Sequence, residues 1–140
     1  MLVVFDLDGT LSDPTHREHH AKAREWDKFH AACGGDAPKS EIMEILYGMR
    51  AMGHRVEIWT GRWESARETT LDWLYTYGLQ LPSDQLLMRE DNDFRPDTVL
   101  KGEWIVNRGR PRLVFEDRDS MVKYYRGLGI TCVQVAPGDF

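Results

Sequence analysis

The sequence has no apolar run near the roughly 18–20 residues that cross a membrane, and its 140 residues include only two cysteines. Cys33 and Cys132 lack metal-site and redox-motif spacing, which excludes a disulfide scaffold or zinc module and leads us to expect a reducing, cytoplasmic setting. The start, MLVVFDLDGTLSD, turns acidic after five apolar residues and so lacks the form of a secretory signal. Basic residues number 18 against 23 acidic ones, for a net charge of −5. That excludes a polybasic nucleic-acid wrapper: a phosphate-bearing partner has to be met locally, by a positive patch or a bound cation. The chain shows no internal repeat, low-complexity tract, linker or GxxxxGK[ST] phosphate loop.

What is present is an ordinary globular composition, 41% hydrophobic and 29% charged, long enough for one domain over residues 1–140. Short apolar runs rich in strand formers predict strands over 2–5, 56–59, 86–88, 113–115 and 131–135. Between them, helices are predicted over 15–32, 40–52, 64–77, 96–106 and 118–127. The first of these has Ala21, Trp26, Phe29 and Ala32 among charged residues. Ser40 is the expected N-cap of the second, with an apolar stripe of Ile42, Ile45, Leu46 and Met49. Ala66, Leu71, Leu74 and Tyr75 form the stripe of the third. The alternation predicts an α/β fold, a Rossmann-like parallel sheet of about five strands sandwiched by helices. Ligands of such sheets gather at the carboxyl ends of the strands, and three of those ends hold the most reactive residues.

The first strand runs into Asp6-Leu7-Asp8-Gly9-Thr10. Carboxylates at i and i+2 project the same way along a continuing strand, and they repel unless a cation or a proton neutralises one. A metal is expected for this reason, and Gly9 permits a sharp turn after the pair. Thr60 ends the second strand with a hydroxyl able to bond a phosphate oxygen, and Arg62 follows it. The fourth strand ends in Glu116-Asp117, with Asp119 just beyond, and Lys101 lies in the helix before it. The carboxylates suit a hard cation such as Mg²⁺; the hydroxyl, Lys and Arg suit a phosphate. Together they point to phosphoryl transfer. One carboxylate would attack phosphorus to give an aspartyl-phosphate. The other would protonate the leaving group and later activate water, while the cations offset the charge on the phosphoryl oxygens.

Asp6-Leu7-Asp8-Gly9-Thr10, Thr60, Lys101 and Glu116-Asp117 resemble, in order, the four motifs of the haloacid dehalogenase superfamily of phosphotransferases. The resemblance implies Asp6 as nucleophile and Asp8 as general acid/base. It implies Mg²⁺ held by the Asp6 carboxylate, the Asp8 backbone carbonyl and Asp117, with Thr60 and Lys101 on the transferring phosphoryl group. The chain is also similar, end to end, to the 3′-phosphatase domain of phage polynucleotide kinase–phosphatases. That similarity is carried by Arg17, Thr60-Gly61-Arg62, Arg89-Glu90, Asp97 before Lys101, Arg118 after the acidic pair, and the stretch Gln134-Val135-Ala136-Pro137-Gly138-Asp139-Phe140. It implies that Arg17 and Arg62, with Gly61 in the loop, bind the substrate phosphate and that Asp97 orients Lys101 or Arg62. Glu116 replaces an Asp of those relatives, which implies a place around the metal. Those relatives carry a P-loop kinase as well; with no such loop here, a single phosphatase domain without 5′-kinase activity is expected.

The expected activity is Mg²⁺-dependent removal of 3′-phosphate from DNA or RNA ends, extending to 2′,3′-cyclic phosphates, in end healing, with the host cytoplasm as its place if the chain is phage-encoded. The stretch between the first two motifs leaves room for a small cap or flap within about 11–38, and a polymer end could enter under so small a lid. The alternatives are a phosphatase of free nucleotides and a non-catalytic end-binding module. Three further groups have ordinary explanations. His16, His19 and His20 read as solvated helix residues, and Trp63 as packing before base stacking. Arg108, Arg110 and Arg112 read first as a solvated face, otherwise as a weak nucleic-acid patch or the contact of a homodimer.

Overall fold

Strand β1 (Leu2–Phe5) lies at the centre of the computed structural model, which describes residues 1–140. An insert follows it, made of β2 (Ser12–Asp13), α1 (Glu18–Lys22), α2 (Trp26–Ala31) and β3 (Ala37–Pro38). The chain continues through α3 (Ser40–Ala51), β4 (Arg55–Trp63), α4 (Arg67–Thr76) and β5 (Leu86–Arg89). It ends with α5 (Asp97–Arg108), β6 (Leu113–Glu116), α6 (Asp119–Gly127) and β7 (Thr131–Gln134). The five main strands pair in parallel in the order β5-β4-β1-β6-β7. The chain moves outward from β1 on one side, then crosses to the other, so the strand order reverses at β1. The crevice at such a reversal is where an open α/β sheet binds its ligand.

Successive side chains of a strand point to opposite faces, and both faces here are covered. Val3, Phe5, Val56 and Ile58 pack with Leu46 of α3 and Trp73 and Leu74 of α4. Val4, Trp59 and Val114 pack with Met121, Val122 and Tyr125 of α6. Phe5 and Phe115 stack with ring centroids 4.5 Å apart, which locks β1 to β6 directly below the reactive ends of both strands. The second face also buries Glu57, whose carboxylate accepts from Trp59 Nε1 (3.0 Å), Arg108 Nη2 (2.9 Å) and Arg55. Arg108 is therefore tied down by a buried acid and does not belong to a solvated face.

The strands match their expected positions except β4, which runs on through the Thr60-Gly61-Arg62 stretch to Trp63 with a register irregularity after Trp59. The expected helix over 15–32 is broken into α1 and α2 at Arg24, which takes a left-handed backbone (φ 57°). The break folds the segment back on itself, so that the Arg17 guanidinium reaches the Phe29 carbonyl at 3.2 Å. The antiparallel β2–β3 ribbon closes the insert, a pairing too short to leave a periodic pattern. Ser40 is the first residue of α3 and makes no cap bond, and Met43 and Leu46 are its buried pair. Ile45, expected in the stripe, is 38% exposed, and Tyr75 of α4 also faces outward while Thr70 and Trp73 turn inward. No helix is long and apolar enough to cross a membrane.

Leu74 is fully buried in the larger core. Leu74→Ala is expected to cost about 2–5 kcal/mol through lost transfer energy and a residual cavity, read as a lowered urea midpoint with an unchanged slope.

Candidate active site

Because β1 and β6 are neighbours, the acids that follow them converge. The Asp6 amide donates to the Phe115 carbonyl at 2.9 Å, which extends the pairing to the reactive residue itself. Lys101, on the second turn of α5, donates to Asp6 Oδ1 at 2.8 Å and to Glu116 Oε2 at 3.0 Å. One carboxylate oxygen from each of Asp6, Glu116 and Asp117 lies within 4.8 Å of the others, close enough to share a small cation. Glu116 is the most committed of the three: its Oε1 accepts from the amides of Asp117 (3.1 Å) and Arg118 (3.2 Å) while Oε2 holds Lys101. Gly9 takes φ +82° against Asp117, where a Cβ would come within 2.0 Å of Oδ2. Only glycine lets the two loops close on each other here.

Asp8 points elsewhere. Its Oδ1 accepts from Arg17 Nη2 (2.6 Å), Arg62 Nε (3.0 Å), Arg62 Nη2 (2.7 Å) and the Ser12 hydroxyl (3.2 Å). All four bonds fall on Oδ1, and the side chain keeps 25% exposure. The Asp8 carboxylate is thus no part of the acidic cluster, which leaves its backbone carbonyl as the only metal donor it could offer. Both arginines are completely buried. Behind them sits Asp36, which accepts from Arg17 Nε (2.8 Å) and Nη2 (2.7 Å) and from Arg62 Nη2 (2.9 Å). Arg17 Nη1 is used by Phe29, and Arg62 Nη1 donates to Thr70 at 3.1 Å. Arg17 and Arg62, expected on a substrate phosphate, grip Asp8 and Asp36 in this structure.

Thr60 is buried within β4, its Oγ1 accepting from the Arg62 amide at 3.1 Å. The Gly61 carbonyl accepts from Arg89 Nε at 3.2 Å, and a Cβ on Gly61 would stand 3.2 Å from Asp97 Oδ1. Asp97 bonds Arg89 Nη2 and lies 3.8 Å from Arg118 Nε. It bonds neither Lys101 nor Arg62, contrary to expectation, because Arg89 at the end of β5 comes between. Asp36 and Arg89 are the residues that sequence reasoning missed as site members. Asp36 sits alone in Gly-Gly-Asp-Ala-Pro, which reads as a turn; Arg89 entered only as the start of a loop. His16 is also not simply solvated, since its Nε2 lies 2.7 Å from Asp36 Oδ1. Trp63 packs between His30 and Phe94.

The segment after β7 secures the acidic loop from outside. The Gly138 carbonyl accepts from the Asp119 amide at 2.7 Å, and Gln134 Nε2 donates to the Asp117 carbonyl at 3.0 Å and to Asp119 Oδ1 at 2.6 Å. A Cβ on Gly138 would collide with the Asp117 carbonyl oxygen at 2.0 Å.

Electrostatics separate the two halves of the site. Burial pushes Asp6 well above the usual carboxylate range, with repulsion from Glu116 and Asp117 adding to it and Lys101 opposing. Burial likewise raises Asp117 to about 7, and Glu116 adds to this. For Lys101 burial works the other way, but attraction by Asp6 and Glu116 prevails and holds its ammonium well above the ordinary value. Burial would also raise Asp8, yet Arg62 and Arg17 outweigh it and hold the carboxyl far below the usual range. One half of the site is short of positive charge; the other keeps a carboxylate firmly ionised.

The family model described as the polynucleotide kinase PNKP phosphatase domain matches residues 1–140. A structure of the Pnkp1/Rnl/Hen1 RNA repair complex contains a chain 30% identical over 99% of this one, with a TM-score of 0.83. The match covers 43% of that chain, and 47% of its counterpart in a second structure of the complex, so the present chain spans less than half of each. The class C acid phosphatase from Bacillus anthracis shares the fold at 16% identity and TM-score 0.70, over 99% of this chain and 66% of that one. CbbY from Rhodobacter sphaeroides does so at 15% identity and TM-score 0.67, over 99% and 86%.

Two outcomes follow from this geometry. Asp36→Asn keeps the shape but removes the charge behind both arginines. It is expected to lower kcat by roughly 10²-fold, the scale of a misplaced catalytic group, measured on p-nitrophenyl phosphate; near wild-type rates would show that Asp8 is held without it. Asp117 binds its proton near pH 7 in the folded protein, against an ordinary value of 3.8. Between those limits the unfolded chain holds fewer protons, so metal-free protein loses stability as pH rises from about 4 to about 7. Thermal melts in chelator check the sign, and Asp117→Asn should flatten the decline.

Proposed function

The chain belongs to the family of polynucleotide kinase phosphatase domains, within the haloacid dehalogenase superfamily of phosphatases, and from that membership we propose that it hydrolyses 3′-phosphates at nucleic-acid ends through an aspartyl-phosphate. The observation that carries this reading is the division of labour between Asp6 and Asp8. Asp6 stands in the acidic cluster bonded to Lys101, whereas Asp8, two residues on, is held apart from it by two arginines.

In the first step an Asp6 carboxylate oxygen attacks phosphorus and the bond from phosphorus to the 3′-oxygen breaks, while Asp8, ionised at rest, relays to that oxygen the proton carried by the phosphate monoanion. The arginines pin Oδ1, so proton transfer falls to Oδ2. Their charge makes a proton on Oδ2 easy to give up. In the second step Asp8 takes a proton from water, which cleaves the acyl phosphate, restores Asp6 and releases inorganic phosphate. Lys101 and the Thr60 hydroxyl steady the phosphoryl oxygens between steps. Arg17 and Arg62 act through Asp8, with Asp36 behind them; Arg89 and Asp97 brace the Gly61 turn. The cluster of Asp6, Asp117 and Glu116 fits a small hard cation, with Asp6, Asp117 and the Asp8 carbonyl as ligands and Glu116 holding the loop and Lys101 around it. Mg²⁺ bound there would supply neutralisation of phosphoryl charge.

The proposed substrate class is supported by the family and by the likeness to a chain of the Pnkp1/Rnl/Hen1 RNA repair complex. Healing of broken DNA or RNA ends, including opened 2′,3′-cyclic phosphates, is the proposed setting. The test compares phosphate release from a 3′-phosphorylated oligonucleotide, a 5′-phosphorylated one and a mononucleotide, each with and without Mg²⁺. Release confined to the 3′-phosphorylated end and dependent on Mg²⁺ is expected, and preference for the mononucleotide would overturn the reading. Asp6→Asn should lose activity by roughly 10⁴-fold or more, the scale of removing a nucleophile, while melting as a folded protein.

A further inference from the structure

The mechanism leaves the exposed aromatic Phe94, at the rim of the site, unexplained. Phe94 is 67% exposed, in the stretch between β5 and α5, on the side of the sheet where the carboxyl ends gather. Its position is fixed from both sides. Arg89 Nη1 donates to the carbonyls of Asp93 (3.1 Å) and Arg95 (2.6 Å), the two residues that flank it in the chain. The Arg95 amide donates to Asp93 Oδ1 at 3.0 Å, closing a tight turn. The same Arg89 guanidinium reaches the Gly61 carbonyl and Asp97, so the loop is anchored to the catalytic turn itself.

Phe94 is also braced from behind. It meets Trp63 edge to face, with centroids 6.0 Å apart at 74°, and Trp63 stacks on His30 at 5.0 Å and 26°. Trp63 follows Arg62, one of the two arginines that hold Asp8. His30 lies within the electrostatic reach of Asp8, Arg17, Arg62 and Arg89. An aromatic file thus starts beside the catalytic acid/base and ends in an open ring face at the surface. A large apolar side chain held rigidly against water loses hydrophobic stabilisation and gains no flexibility. A nucleobase accounts for that arrangement: every base offers a π-face, and stacking on a preset ring is tolerant of sequence. Asp93 is balanced by Arg95, but the exposed Glu90 and Asp91 leave the rim acidic and a poor place for further backbone phosphates, so the contact fits one base at the end of the strand.

We propose that Phe94, backed by Trp63, is the stacking platform for the terminal base of a 3′-phosphorylated strand. The inference rests on the reading of the domain as a nucleic-acid 3′-phosphatase. Its test uses two oligonucleotides of the same sequence, both ending in 3′-phosphate, one with its terminal base and one with a base-free terminal sugar. Wild-type protein is expected to favour the base-bearing end by about tenfold in kcat/KM, mainly through KM, within the range of base–aromatic stacking. Phe94→Ala should bring the ratio close to one by slowing the base-bearing substrate, and Phe94→Trp should restore it. Because the ring is exposed, the melting temperature of both variants should stay near wild type. A wild-type ratio near one, a ratio untouched by Phe94→Ala, or an equal loss on both substrates would overturn the platform while leaving the phosphatase reading standing. Turnover of neither oligonucleotide, with a mononucleotide hydrolysed, would overturn both.

Discussion

Five carboxylates, Asp6, Asp8, Asp36, Glu116 and Asp117, share the carboxyl end of the sheet with three cationic side chains, Lys101, Arg17 and Arg62. Charge cannot be left uncompensated in so buried a place, and the way it is divided shapes the whole site. Asp8 and Asp36 are matched by Arg17 and Arg62. Asp6, Glu116 and Asp117 have only Lys101. The first group is complete within the protein. The second is two positive charges short, a deficit that protons can meet, as the raised proton affinities of Asp6 and Asp117 show, or that one divalent cation can meet at once. The two groups meet on one short stretch of chain, where only the fully buried Leu7 separates Asp6 from Asp8.

Much of this was legible in the sequence wherever function sits on a regular element. Asp6 and Glu116-Asp117 were readable because they end apolar runs that could only be buried parallel strands, and Lys101 because it lies in the helix that leads into the last of them. Asp36 was not readable: a lone acid in a Gly-Gly turn has no period, and its value comes from a fold-back that joins it to residues 17 and 62. Arg17 and Arg62 are legible as site residues, but their grip on Asp8 is not. Residue type shows that an arginine can grip an anion; only burial shows that the anion is a neighbouring carboxylate. The broken helix in the insert and the inward turn of Trp73 in α4 were hidden for the same reason, since both are set by what packs on them.

Glycine and the segment after β7 illustrate how closely the acidic loops are pressed together. Gly9 faces Asp117 from one side and Gly138 from the other, each in contact closer than any side chain would permit. Gly9 backs the Asp117 carboxylate and Gly138 its carbonyl, so close packing places both the group and the loop that carries it.

Asp36 belongs to the insert, whose helices have five and six residues and whose strands have two each. Helices that short do not persist by themselves, so the insert is the part of the molecule able to open while the sheet stays intact. When it opens, the counter-charge behind Arg17 and Arg62 goes with it. Asp8 would then lose the pairing that fixes its Oδ1, so the order of the insert and the placement of the acid/base are a single constraint.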